Sequence, residues 1–208
     1  IGDGVIPDIL NQQIYDNIYI VSDEEALQTA KDLAKKEGLM CGISSGTNVA
    51  AALKLAEKLG VREIFVKDES FRFGLNAFKS LGSLYAMSRL ACREFGWNGE
   101  AVVYADLQTP QAHRKLGEMV FATATDGNHG RGVAWSASRL GCRSFVFMPK
   151  GTVESRAHAI GAIPGATVTV TDLTYDETVA LAAQKAKELN EALLRASDNG
   201  RLPILCDM

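Results

Sequence analysis

The chain has 208 residues, 47% of them hydrophobic and 23% charged, with 22 Lys+Arg against 25 Asp+Glu and a formal net charge of -3. That length gives one large domain, or one and a half small ones, with ample core. The mixed charge argues against a nucleic-acid binder, the lack of any apolar run near ~20 residues argues against a bilayer span, and 19 Gly with only 5 Pro and no repeats argue against a fibrous or disordered chain.

A soluble, cytoplasmic protein is therefore expected. The first ten residues lack the basic start and apolar core of a signal peptide, and with Ile1 and Met208 at its ends the chain reads as cut at both. Cys41, Cys92, Cys142 and Cys206 are far apart and form no CxxC pair, and His113, His129 and His158 are equally scattered. This spacing predicts reduced, buried thiols and no metal site.

In chain order, Asn17-Ser22 reads as a strand, and Asp23-Glu37 as a helix with an acidic first turn and a lysine-rich last one. Gly42-Gly46 reads as a tight turn, Thr47-Leu59 as a helix stopped by Gly60, and Glu63-Lys67 as an apolar strand. The loop Asp68-Asn76 leads into a long helix, Ala77-Phe95, followed by a strand at Ala101-Tyr104 and a polar stretch, Asp106-Glu118, with one short helix. The rest alternates without interruption. Strands are expected at Val120-Thr125, Ser144-Met148, Ala166-Asp172 and Pro203-Asp207, with helices at Gly130-Leu140, Val153-Ile160 and Asp176-Ala196 between them. Apolar strands alternating with helices indicate βαβ units and a mostly parallel sheet, which binds ligands at the carboxyl ends of its strands.

Three loops at those ends carry candidate residues. In Phe73-Gly74-Leu75-Asn76-Ala77-Phe78-Lys79, Asn76 suits an N-cap, which puts Lys79 in the first turn of a helix. The helix dipole there disfavours an ammonium and favours the free amine that Schiff-base chemistry needs. A solvated surface lysine is the equal alternative. In Thr125-Asp126-Gly127-Asn128-His129-Gly130, two glycines let successive amides turn inward toward an anion. Asp126 beside them is an acid/base candidate and Asn128 an amide donor, while the plainer reading makes Asp126 a helix cap. In Gly42-Ile43-Ser44-Ser45-Gly46 the hydroxyls either cap the next helix or touch a ligand. Asp207 ends a strand at the ligand edge, His113 and His158 read as helix-surface residues, and Arg131 and Arg139 as an exposed helix face.

Taken together, these segments resemble the fold-type II pyridoxal-phosphate enzymes. Lys67-Ser70, Arg72-Lys79, Thr125-Gly132, Met148-Gly151 and Thr171-Asp176 look specifically like diaminopropionate ammonia-lyase, over roughly Leu59 to Met208. Residues 1-60 differ. Gly2-Pro7, Val21-Ala26 and Gly42-Gly46 are similar to the carboxyl-terminal part of cysteine synthase, which in that family follows the cofactor lysine and here precedes it. The resemblance therefore implies a three-layer α/β fold with an incomplete, permuted parallel sheet, divided into segments 1-60 and 61-208. A helix near Leu53-Gly60 that fits both families would make the join, running unbroken to Leu59, with Glu63-Lys67 then pairing in parallel with Val120-Thr125 and Ser144-Met148.

The ammonia-lyase resemblance further implies that Lys79 holds pyridoxal 5'-phosphate covalently and that Asn128 bonds its phenolic oxygen. The amides around Gly127-His129 would meet the substrate carboxylate, with Asp126 and Asp207 handling the α-proton of the two substrate enantiomers. The cysteine synthase resemblance makes Ser44 the contact to the pyridine nitrogen. The implied reaction is α,β-elimination from 2,3-diaminopropionate to pyruvate and ammonia, in a homodimer. The glycine-rich loop that binds the cofactor phosphate in both families has no counterpart, since Gly96/Gly99 and Gly161/Gly165 lack its pattern, so impaired cofactor binding is expected. The alternatives are β-replacement on O-acetylserine and a non-catalytic hybrid chain.

Overall fold

A computed structural model describes residues 10–97, 103–196 and 204–207. The chain divides into two compact units, one ending at Lys67 and the other starting at Asp68.

The first unit is a pair of helices. Helix α1 (Asp23–Asp32) starts on a capping box, in which the Ser22 hydroxyl accepts from the Glu25 amide and the Glu25 carboxylate accepts from the Ser22 amide. It continues through a π-helical turn, Leu33–Glu37, and stops at Gly38 in the left-handed conformation (φ 72°). Helix α2 (Ile43–Leu59) runs unbroken to a left-handed Gly60, as expected from the sequence. It begins earlier than expected: the glycine-serine turn is its first turn, and the Gly42 backbone caps it without a side chain. The two helices meet at Gly46, where a side-chain carbon would run into the carbonyl oxygen of Ala26 and lie 2.9 Å from the amide nitrogen of Ala30. Only backbone-to-backbone approach fits there. Lys54 ties the unit together, donating to the Ile20 carbonyl at 3.0 Å and pairing with Glu25 at 2.8 Å.

Two expected strands are absent from this unit. Asn17-Ser22 and Glu63-Lys67 are apolar but join no ladder, and Ile20, Phe65 and Val66 are exposed. A strand needs a neighbour in a ladder, and the ladders among the described residues include neither segment. The parallel pairing expected for Glu63-Lys67 is therefore not formed. Cys41 is exposed, against the expectation of a buried thiol, whereas Cys92 and Cys142 are buried; the Cys206 side chain lies outside the described part.

In the second unit, helix α3 (Lys79–Glu94) is followed by two short helices, α4 (Tyr104–Leu107) and α5 (Pro110–Leu116), where one was expected. Thr109 caps α5 with its hydroxyl, and Pro110 takes the first position, where its missing amide costs nothing. Of the strand expected at Ala101-Tyr104, residues 101 and 102 lie outside the described part and Tyr104 opens α4. Then come β1 (Val120–Ala124), α6 (Asn128–Arg139), β2 (Arg143–Met148), α7 (Glu154–Gly161), β3 (Ala166–Val170), α8 (Tyr175–Ala196) and β4 (Ile204–Asp207). The four strands form one parallel sheet in the order β3-β2-β1-β4.

Every residue of β1 is buried, as expected of a strand covered on both faces. Val146 and Met148 of β2 pack with Ala134 of α6 and Ile160 of α7, while Phe147, one residue out of phase, packs with Ala182 of α8. Strand alternation thus sends α6 and α7 to one face and α8 to the other, the expected three layers. The largest core joins α3, α4 and α5 to Phe121 and to Val133 and Ala137 of α6.

Candidate functional site

The site is built where α3 and α6 begin. Lys79 is the first residue of α3 and Asn128 the first of α6. The helices cross at Gly132, where a side-chain carbon would sit 2.9 Å from the Ser80 nitrogen and 3.1 Å from the Lys79 carbonyl carbon. Ser136 donates to the Ser80 carbonyl at 3.3 Å, and Ser83 to the Lys79 carbonyl at 3.1 Å. Lys79 thus has a backbone clamped on two sides and an exposed side chain.

The loop ahead of it is pinned to the same helix. Arg131 donates to the Leu75 carbonyl at 3.2 Å, and Phe73 stacks on Trp135 with ring centroids 4.6 Å apart. Arg131 is half-buried by this contact, so it does not line an exposed face; Arg139 does. Phe73 and Asn76 both take left-handed backbone (φ 53° and 52°), a conformation asparagine tolerates better than phenylalanine. Asn76 therefore turns the chain and does not cap the helix, whose cap position is Phe78.

At the end of β1, Thr125 extends the ladder through its amide, which donates to the Phe147 carbonyl at 3.0 Å. Its buried hydroxyl oxygen accepts from both the Gly127 and Gly130 amides, each at 3.0 Å. Two of the four first-turn amides of α6 are thereby satisfied. Those that Thr125 does not take belong to Asn128 and His129, so the anion-binding stretch expected at Gly127-His129 loses the Gly127 amide. Gly130 is also required by packing, since a side chain there would strike the Thr125 methyl and lie 2.8 Å from Val146.

Asp126 is exposed and makes no capping bond to α6, which removes the cap reading. Its carbonyl accepts from Arg156 of α7 at 3.0 Å. Asp207 ends β4, and its Cα partner across the ladder is Thr123; for Asp207 the backbone alone is described. β2 lies on one side of β1 and β4 on the other, so the strand order reverses at β1. In open parallel sheets that reversal is where ligands bind, outside the carboxyl ends of the strands. Asp126 and Asn128 follow the end of β1, Lys79 opens the helix that crosses α6 at Gly132, and Asp207 ends the adjacent strand. Ser44 belongs to the first unit, where it is the exposed second residue of α2. His113 is half-buried rather than on the surface, and His158 is exposed. An open groove of about 810 Å³ in the first unit, lined by Glu25, Leu53 and Lys54 among others, contains none of the candidate residues.

No role for Thr125, Gly132 or Arg156 is legible in the sequence alone. Thr125 and Gly132 sit inside motifs that were singled out, but the contacts defining them are long-range. Nothing in the sequence connects Arg156 to Asp126.

Two segments of the chain, residues 3–63 and 52–201, match the family described as pyridoxal-phosphate dependent enzyme. The chain belongs to that family, whose cofactor is pyridoxal 5'-phosphate. Diaminopropionate ammonia-lyase of Escherichia coli (strain K12) is 47% identical over 143 residues, covering 68% of this chain and 34% of the relative. Cysteine synthase B of Campylobacter jejuni is 53% identical over 64 residues, covering 31% of this chain and 21% of the relative. Both resemblances read from the sequence are thus found. Among solved structures, selenomethionine-containing holo diaminopropionate ammonia-lyase from Escherichia coli aligns with a TM-score of 0.57 at 47% identity, over 65% of this chain and 33% of that one. The chain spans about a third of the length of the ammonia-lyases it matches.

Proposed function

We propose that residues 61-208 form the cofactor-lysine part of a diaminopropionate ammonia-lyase, joined to residues 1-60 as a cysteine-synthase-like segment. The reaction is α,β-elimination from 2,3-diaminopropionate, which takes up one water and yields pyruvate and two molecules of ammonia. The observation that carries this reading is an exposed lysine on a backbone clamped against α6, the helix that begins two residues after Asp126.

The donor set fits pyridoxal 5'-phosphate. Lys79 offers an exposed amine for its aldehyde, and the exposed amide of Asn128 suits its phenolic oxygen. When bound, the cofactor supplies an electron-withdrawing ring that makes the substrate α-proton acidic. Asp126 takes that proton from one enantiomer and Asp207 from the other, while the Asn128 and His129 amides orient the carboxylate. The β-amino group then leaves. Helix-terminal amides that bind a phosphate supply much of such a cofactor's affinity. These 208 residues hold no counterpart of the family's glycine-rich loop, so weak retention is part of the proposal, as are a homodimer and a cytoplasmic location.

The test is spectroscopic. Adding pyridoxal phosphate to the purified chain should produce a visible absorption band that Lys79→Ala abolishes and dialysis removes. A chain that gives no band, or a band that survives Lys79→Ala, refutes the assignment of Lys79.

A further inference from the structure

We infer that Arg156 is a positioning residue for the Asp126–Gly127 peptide. Both polar atoms of that peptide are held, and by different elements. Its N–H donates to the Thr125 hydroxyl at 3.0 Å, and its C=O accepts from Arg156 Nη1 at 3.0 Å. The Arg156 stem also lies against Gly127, so that a side-chain carbon there would be 3.4 Å from Arg156 Cδ and 3.7 Å from Nη1. Thr125 comes from the end of β1 and Arg156 from the first turn of α7. The peptide plane is fixed between them.

That plane sets two directions at once. On its N-terminal side it orients the Cα of Asp126, from which the carboxylate projects. On its C-terminal side it orients Gly127, whose carbonyl accepts from the Arg131 amide at 3.0 Å as α6 begins. A rotation of the plane would break the Thr125 and Arg156 bonds together and swing Asp126 relative to the Asn128 amide. Thr125 is buried and cannot yield; Arg156 is exposed and is the removable half of the clamp. The consequence for turnover rests on the proposed function, whereas the clamp itself rests on these contacts alone.

The test uses the full chain, without cofactor, and amide hydrogen exchange followed by NMR. Arg156→Met keeps the stem and loses the donor; Arg156→Lys keeps both. In Arg156→Met the Gly127 amide should exchange about fivefold faster or more, as loss of one charge-assisted hydrogen bond implies. The β2 amides should be unchanged, and Arg156→Lys should restore protection to within about twofold of the parent chain. An unchanged Gly127 amide in Arg156→Met overturns the inference, as does a rise shared equally by β2 in both variants. With pyridoxal phosphate and substrate, Arg156→Met should slow the enantiomer that Asp126→Asn slows, by about tenfold, a share of the ~10²-fold or greater loss expected for removing a general base. An equal fall for both enantiomers overturns the link to Asp126. Absence of a cofactor band in the parent chain refutes the proposed function instead, and leaves the exchange result to decide the clamp.

Discussion

The two units use the same kinds of residues to opposite effect. In the second, apolar residues such as Leu116, Met119, Val133 and Leu140 are fully buried between sheet and helices. In the first, Ile18, Ile20, Met40 and Phe65 are exposed, and the unit's buried residues are as small as Ala26, Gly46 and Ala50. A segment such as Glu-Ile-Phe-Val-Lys has strand character in both settings. It becomes a strand only where a neighbour offers a ladder and a helix covers its face. Local propensity is thus a necessary condition that packing completes.

The sharpest contrast is chemical. Burial pushes the Cys142 thiol up to about 12 from its ordinary 9.0, which leaves about a thousandfold less thiolate at a given pH. Cys41 is exposed. Alkylation at mildly alkaline pH, mapped by mass spectrometry, should modify Cys41 orders of magnitude faster than Cys142; comparable rates would show that the second unit's core is open. Next in size is core truncation. Leu116→Ala, at a position 0% exposed, should cost about 2–5 kcal/mol in urea unfolding. Phe65→Ala, at a position 90% exposed, should stay within about 0.5 kcal/mol. A large loss at Phe65 would mean that the first unit is covered in solution.

How far the sequence could be read follows the same line. Its legible features were those decided within a few residues, such as the acidic first turn of α1 and the Gly60 stop of α2. The strands at Asn17-Ser22 and Glu63-Lys67 failed because pairing is decided elsewhere in the chain. The starts of α2 and α6 were placed too late because glycine and serine read as turn residues, and only the structure shows Gly46 and Gly130 chosen for close approach within helices. At the site, Lys79, Asp126 and Asn128 were marked by their motifs. Thr125's double acceptance and Arg156's reach to the Asp126 carbonyl could not be read, because both depend on how elements far apart in sequence pack.

Two smaller effects sharpen the comparison from the side of the first unit. Gly46→Ala inserts a carbon against the backbone of Ala26 and Ala30. It should part α1 from α2 at a cost of about 1–3 kcal/mol, seen as loss of amide protection in α1 with the β1 amides unaffected. Unchanged protection would show that the crossing is looser than described. The last is a pH effect. The Lys54 ammonium and then the Ser22 amide, both bonded to the Glu25 carboxylate, hold its pKa below the ordinary 4.5. A carboxyl lowered by folding stabilises the folded state above its unfolded value, and the contribution is lost as pH falls through the folded value. The α1 amide resonances should therefore shift as the pH drops below about 4.5, and Glu25→Gln should flatten that change. The same curve in both proteins would remove Lys54–Glu25 from the account.

The place of β4 has a consequence for timing. β1, β2 and β3 are neighbours in sequence as well as in the sheet, so each of their ladders closes over a single crossover helix. Among the described residues β4 is the last strand, yet it lands beside the first, with Thr123 facing Asp207 across the whole of α6, β2, α7, β3 and α8. Such a contact has high sequence separation and a large closure entropy, and it is expected to form after the rest of the sheet. Asp126 and its clamp can be in place while the strand end carrying Asp207 is still unpaired. The two carboxylates would then mature at different stages of folding, and damage to the last step would leave a sheet with one of them set and the other loose.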